Sequence, residues 1–314
     1  MSQDNSLTPE EVADLLKIKK NTVYELVKRG DLRAYRIGRK LRIDIEDVEA
    51  YKKQGKGLPA ELPFRMDLPT PKHLSYARHS DDLIICGQDI LLDVMTRYLG
   101  RSPYYYRALR QQVDSFDGLQ ALYHGEADVA TAHLWDGINK EYNSTYIKYL
   151  IPGIPKLLVN LVSRIQGFYV AKGNKLKINN WEDLTRKGVR FINREKGSGD
   201  RVLLDQILSE HGIDHRHVQG YDQVKLSHLE VASLIARGEA DVGLGIQKAA
   251  LQIRGVDFIP LHKERYDMVL LKENLVDQRI QAVLDIVQSR AFRADIEAMG
   301  DYDVSDMGQI TEVV

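Results

Sequence analysis

Cysteine is almost missing: Cys86 is the single one in 314 residues, so no disulfide forms within the chain and a reducing compartment is expected. Long apolar runs are missing as well. No stretch reaches eighteen uninterrupted apolar residues, which argues against a membrane-spanning helix. The opening residues MSQDNSLTPEEVADLL lack a basic start followed by an apolar core, and a cytoplasmic location is the expectation. Signatures of chemistry are equally scarce. The glycine-rich stretch at Gly197 to Arg201 has no GKS or GKT ending and no GxGxxG register, Ser198 lies in no GxSxG frame, and neither HExxH nor paired cysteines occur. A binding protein that is not an enzyme, with no cofactor and no directly coordinated metal cation, is therefore expected.

Net charge is nearly absent too, at -1, yet its distribution is uneven. Between Lys17 and Arg42 ten lysines and arginines face only Glu25 and Asp31, an electrostatic footprint suited to polyphosphate. The same stretch carries a helical sentence. Thr8 stands as an N-cap, Pro9 as the first helical residue and Glu11 as the far end of a capping box, with Val12, Leu15 and Leu16 on one face. A turn after Lys17 leads to a second apolar face through Val23, Leu26 and Val27, which ends at Gly30. Two short helices joined by a tight turn make a helix-turn-helix. Residues 34–43 then alternate across a glycine turn as a hairpin with a basic tip, and Asp44 precedes a third helix over 45–53.

Over residues 7–54 this pattern resembles the small winged helix-turn-helix domains of the excisionase and MerR class. The resemblance implies double-stranded DNA as a partner. The start of the second helix enters the major groove and the wing lies along the backbone or minor groove. It assigns Asn21, Thr22 and Tyr24 to base edges or phosphates, Lys19, Lys20 and Lys28 to phosphates, and Arg36, Arg39, Lys40 and Arg42 to the wing. A homodimer is expected from the palindromic logic of such operators.

Residues 55–79, with Pro59, Pro63, Pro69 and Pro71 and no sustained period, read as a linker. Beyond them short apolar strands alternate with helical patterns, as at Leu83 to Cys86 before a helix over 90–98, which predicts an α/β domain with mainly parallel sheets. An internal echo adds to this: DGLQALYHGEADVATAHL from Asp117 and LEVASLIARGEADVGLGI from Leu229 share a helix, the pentad GEADV and a strand, as in two lobes. In FINREKGSGDRVLLDQIL, from Phe191, a strand runs into an open turn at the mouth of a helix, where backbone N–H groups and the helix dipole cradle an anion.

With QGFYVAKGN and DFIPLHKERYDMVLLK, these segments resemble the periplasmic-binding-protein-like domain (type II) that certain cytoplasmic regulators carry after a helix-turn-helix. The resemblance gives a small N-terminal winged helix-turn-helix, residues 1–54, followed by a two-lobed α/β ligand-binding domain, residues 80–314. It implies a cleft lined by strand-to-helix turns bearing Gln88, Ser115, Thr131 and His133 from one lobe. Arg194, Ser198, Gly199, Arg201 and Gly245 come from the other. Similar domains are associated with molybdenum or tungsten physiology, which implies a small tetrahedral oxyanion, molybdate or tungstate, as effector. Asp89 and Asp200 sit uncomfortably beside an anion; they are expected to cap helices, with Asp200 near Arg194 or Arg201. The reading is a ligand-responsive DNA-binding transcriptional regulator; the alternatives are an excisionase-like architectural protein whose larger domain recruits a partner, a solute receptor, or an enzyme.

Overall fold

A computed structural model describes residues 6–29, 31–38, 40–54, 82–101 and 106–313. The expected linker and Arg39 lie outside these. The described residues fall into two compact units, one on each side of the Ser75–Tyr76 junction.

In the first unit β1 (Ser6–Leu7) precedes α1 (Pro9–Leu16), whose capping box is made: Glu11 N donates to Thr8 Oγ1 at 3.3 Å and Thr8 N donates to Glu11 Oε2 at 2.7 Å. Lys17 ends the helix in the left-handed conformation, φ 54°. The turn leads to α2 (Lys20–Arg29), the hairpin β2 (Tyr35–Ile37) and β3 (Lys40–Asp44), and α3 (Ile45–Gln54). β1 pairs with β3 and makes the wing three-stranded, a strand too short to register as a sequence pattern. Val12, Val23, Leu26, Leu32, Ile43 and Val48 form the core. Each such side chain contributes about 1.5–3 kcal/mol of burial, which holds a small unit together without a disulfide.

The second unit opens with β4 (Leu83–Cys86), α4 (Leu91–Arg101), β5 (Ala108–Gln111), α5 (Ser115–Tyr123) and β6 (Ala130–Ala132). The hairpin β7 (Trp135–Asp136) and β8 (Glu141–Tyr142) and then α6 (Ser144–Leu150) follow. β9 (Lys156–Ala171) carries the chain out of this lobe into a second one of β10 (Phe191–Arg194), α7 (Gly199–Glu210), β11 (Val224–Lys225), α8 (His228–Ala236), β12 (Val242–Ile246) and α9 (Gln247–Ala250). β13 (Val256–Leu271) returns, and α10 (Gln278–Gln288), α11 (Arg290–Ala298), β14 (Tyr302–Asp303) and β15 (Ile310–Val313) complete the first lobe.

The two GEADV helix–strand pairs become α5–β6 in one lobe and α8–β12 in the other, as the repeat suggested. The sheet is not mainly parallel. Its order is β11-β10-β12-β9-β13-β6, and β9 pairs antiparallel with both β12 and β13. The reason is that the chain crosses between lobes twice, in opposite directions, on two sixteen-residue strands lying side by side. On β9, Val159, Leu161 and Val162 belong to the core of the first lobe and Phe168 and Val170 to that of the second. Between these apolar halves lies a polar crossing point, where Arg164 faces Glu264 and Gln166 faces His262. Register shifts at Pro260/His262 and Tyr266/Asp267 bracket it on β13, where the local bend of a bulge re-aims side chains.

Candidate ligand cleft and nucleic-acid interface

The turns that follow β4, β5, β6 and β10 meet at the crossing point and enclose a cleft. Its wall contains Gln88, Asp89, Asp114, Ser115, Thr131, His133, Arg164, Arg194, Ser198, His228 and Tyr266. Free volume is about 20 Å³, on a scale where one water needs roughly 10–15 Å³. Only a very small guest fits this closed arrangement. Four helices begin at this wall: α4 beside Asp89, α5 at Ser115, α7 after Ser198 and α8 at His228. Each N-terminus carries about half a positive unit charge, so four of them make the cleft attractive to an anion.

The lobes touch directly. Gln88 Nε2 donates to Leu226 O at 3.1 Å, Arg194 Nη2 donates to Gln88 Oε1 at 3.0 Å, and Phe116 N donates to Gly197 O at 3.3 Å. Gly199 lies against His133, where a Cβ would come within 2.3 Å of the imidazole Nδ1 and 2.6 Å of the His133 carbonyl oxygen. That contact is why the turn after β10 is so open: its glycine admits the opposite lobe.

Both arginines of the wall are paired with carboxylates. Arg164 Nε bonds Glu264 and its Nη1 bonds Asp89, with Tyr266 stacked 4.2 Å from the guanidinium. Asp89 also accepts from Leu91 N at 2.8 Å and Tyr302 OH at 2.7 Å, so it caps α4 as expected. Arg194 bonds Glu195 at 2.7 Å and Asp200 at 3.2 Å, which places Asp200 beside one of the two arginines anticipated. Burial alone would raise the Glu264 carboxyl, but Arg164 and His133 outweigh it and hold it at about 2. Burial, then Arg194, Arg164 and His133, push His228 well below the ordinary imidazole range, so it is neutral.

Asp114 caps α5 through Phe116 N at 3.0 Å and Asp117 N at 3.2 Å. Burial, reinforced by Asp117 and Glu195, raises its carboxyl to about 6. An acid whose folded value is raised contributes stability that is fully present below the unfolded value and lost as pH rises through the folded one. Asp114→Asn, which keeps the capping oxygen, should therefore melt higher than the parent above pH 6 and no higher below pH 4. The carboxyl keeps some solvent contact, so a gain of about 1 kcal/mol, roughly 2–4 °C, is the scale expected in thermal melts at pH 7.5.

Six of the nine residues expected at the site, Gln88, Ser115, Thr131, His133, Arg194 and Ser198, line the cleft. Three do not. Gly199 stands behind His133; Arg201 turns away, with Nε 3.0 Å from Asp205 and its guanidinium 4.2 Å from the Tyr221 ring; and Gly245 lies where a Cβ would meet the Tyr169 ring at 2.3–2.7 Å. Nor is the Ser198 hydroxyl free for a guest: it donates to Glu195 O at 3.0 Å and accepts from Arg201 N at 3.3 Å as the cap of α7. Arg164, Glu264 and His228 were missed. A signal existed for the first two, since SRIQ interrupts the apolar run of β9 and HKER that of β13.

In the first unit Lys20, Asn21, Thr22, Tyr24 and Lys28 share the exposed surface of α2, with Lys19 exposed just before it, while Val23 and Leu26 face inward. Tyr24 is 44% exposed rather than packed between helices. Lys20 pairs with Glu10, so its charge is partly balanced. Lys40 and Arg42 lie on β3 and Arg36 on β2.

Residues 96–288, the stretch that builds most of both lobes, match the model of the PBP superfamily domain. The chain belongs to the PBP superfamily. Its N-terminal part, residues 6–56, matches a helix-turn-helix domain. The uncharacterized protein YvgK of Bacillus subtilis (strain 168) is 39% identical over 317 residues, covering 99% of each chain. The two-lobed fold is shared with a phosphate-bound substrate-binding protein of Clostridium perfringens, TM-score 0.53 at 14% identity over 71% of this chain and 98% of that one. A tungstate transporter structure from Geobacter sulfurreducens gives TM-score 0.53 at 13% identity over 70% and 100%. Both domains of this PBP-superfamily chain are thus of binding type. No helix of the described residues is long and apolar enough to cross a membrane.

Proposed function

We propose that the protein is a cytoplasmic, ligand-responsive transcriptional regulator, a homodimer on double-stranded DNA, whose two-lobed domain senses a small oxyanion, molybdate or tungstate being the leading candidates. Its role is binding rather than catalysis. One observation carries this: four helix N-termini, two from each lobe, converge on a cleft with room for a single small guest. The phosphate and tungstate named for proteins of the same fold lend support. Contacts from both lobes are realised together only in the closed form, so an anion shifts the equilibrium by its differential affinity.

Thermal melts of the full chain with sodium molybdate, tungstate, sulfate and phosphate test the reading. An anion present at 100 times its Kd stabilises by about 2.7 kcal/mol. A flat panel removes the small-anion sensor. On the DNA side, Lys40→Ala with Arg42→Ala should reduce the slope of log affinity against log salt by about 2 if each neutralises one phosphate. An unchanged slope removes the wing from the interface.

A further inference from the structure

The lobes meet at a second place, along α7 and away from the cleft. Val202, Gln206 and Glu210 follow Gly199 at helical spacing, so all four share one face of α7. Another face, with Leu203, Leu204 and Leu208, serves the core of their own lobe. The first face belongs to the opposite lobe. Val202 packs on the core cluster there that holds Leu134 and Ile147. Gln206 Nε2 donates to Tyr146 OH at 3.2 Å, and Glu210 Oε1 accepts from Lys140 Nζ at 2.8 Å.

The first lobe answers with the β7–β8 hairpin. Trp135 on β7 packs on the core of the second lobe, in the cluster of Phe191, Leu203 and Leu204. Lys140 Nζ lies 5.9 Å from the centre of the Trp135 ring. Gly137 comes so close to α7 that a Cβ would stand 2.3 Å from Glu210 Oε1. Asp136 accepts from Ile138 N at 2.9 Å, Asn139 N at 3.2 Å and Asn139 Nδ2 at 2.7 Å. The hairpin is thus tied internally, and a segment ordered beforehand loses little entropy when it docks. Each lobe lends an apolar side chain to the other's core, Val202 in one direction and Trp135 in the other.

None of these residues lines the cleft, so their contacts need no guest. We propose that this face of α7 and the β7–β8 hairpin form a clasp that holds the two lobes together independently of a ligand, so that residues outside the cleft set how tightly it retains one. The apparent dissociation constant is the intrinsic one divided by the closed fraction, and whatever weakens the clasp lowers that fraction. Trp135, Lys140 and Glu210 are then positioning residues for a guest they do not touch. The step from clasp to affinity rests on the reading of the cleft as an anion site; the clasp itself does not.

Double electron–electron resonance on the full chain reads the lobe separation. Nitroxides go on Val276→Cys, 92% exposed on the first lobe, and Lys187→Cys, exposed on the second, while Cys86 is buried. Without added anion the shorter, closed separation is the major population. Lys140→Glu sets two carboxylates against each other, shifts the major population to a longer separation and weakens sodium molybdate binding about three- to tenfold in calorimetry. Lys140→Glu with Glu210→Lys recovers both, which damage to the fold would not. A parent chain that is open without anion overturns the clasp, and so does a separation that ignores Lys140→Glu or is not recovered by the exchange. Molybdate affinity indifferent to a demonstrated opening overturns the link to affinity. A separation that follows the charge pair, with no heat from molybdate, tungstate, sulfate or phosphate, upholds the clasp and removes the anion reading.

Discussion

Gly199→Ala should abolish ligand-driven closure, with molybdate or tungstate binding weakened by at least 100-fold in calorimetry. The added Cβ would lie 2.3 Å from His133 Nδ1 and 2.6 Å from the His133 carbonyl oxygen. The imidazole has little room to yield because Glu264 holds it, and the carbonyl belongs to the backbone leaving β6. The lobes can relieve the overlap by parting. Position 199 starts α7 at the lobe surface, and alanine is the best residue for a helix, so the second lobe itself should remain folded. DNA binding by the first unit should be unchanged in a gel-shift titration without ligand. Unweakened anion binding by the variant would show that closure does not bring His133 onto Gly199.

Arg164→Met should give the largest loss of stability. Arg164 is 4% exposed and bonds two carboxylates, Asp89 and Glu264, that are themselves buried. Removing the shared cation leaves two buried carboxylates at the crossing of β9 and β13 without the guanidinium that joins them, Glu264 keeping His133 and Asp89 its bonds from Leu91 N and Tyr302 OH. Breaking a buried ion network in this way costs about 3–5 kcal/mol, and a domain of this size loses roughly 2–4 °C per kcal/mol, so the melting temperature should fall by on the order of 10 °C. Lowering the pH should narrow the gap between variant and parent. Glu264 is held at about 2 in the intact protein, so its contribution is present above the unfolded carboxyl value and is lost as pH falls through about 2. In the variant the same carboxyl has lost its first counter-charge and gains from protonation at milder acidity. Equal melting temperatures at pH 7.5 would show that the network contributes nothing net.

Much of the first unit could be read residue by residue because its decisive contacts are local. The Thr8–Glu11 capping box spans three residues, the turn at Lys17 follows its helix directly, and β2 and β3 are joined by a single tight turn. The same holds for the GEADV units and for the start of α7, where glycine, serine and a following amphipathic run announce a strand-to-helix turn. Locality also marks the limit. Ser198 was recognisable as a residue at a helix mouth, but its role as the cap of its own helix, rather than as a donor to a guest, depends on where its hydroxyl points. Arg201 and Gly245 occupy equally suggestive places in the chain, and rotation about the helix axis or the facing side of a strand takes them out of the cleft.

The order of apolar and polar residues determined by itself that this chain holds a helix-turn-helix followed by paired α/β units, since caps, turns and helical periods are settled within a few residues. Tertiary structure alone decided the site. The bonds joining Arg164 to Asp89 and Glu264, His133 to Glu264 and Gln88 to Leu226 span 75, 100, 131 and 138 residues, and no local pattern encodes which distant partner will neutralise a buried charge. That choice belongs to the two crossing strands, which bring both lobes to one point and leave a buried guanidinium or carboxylate stable only where its counter-charge arrives with it.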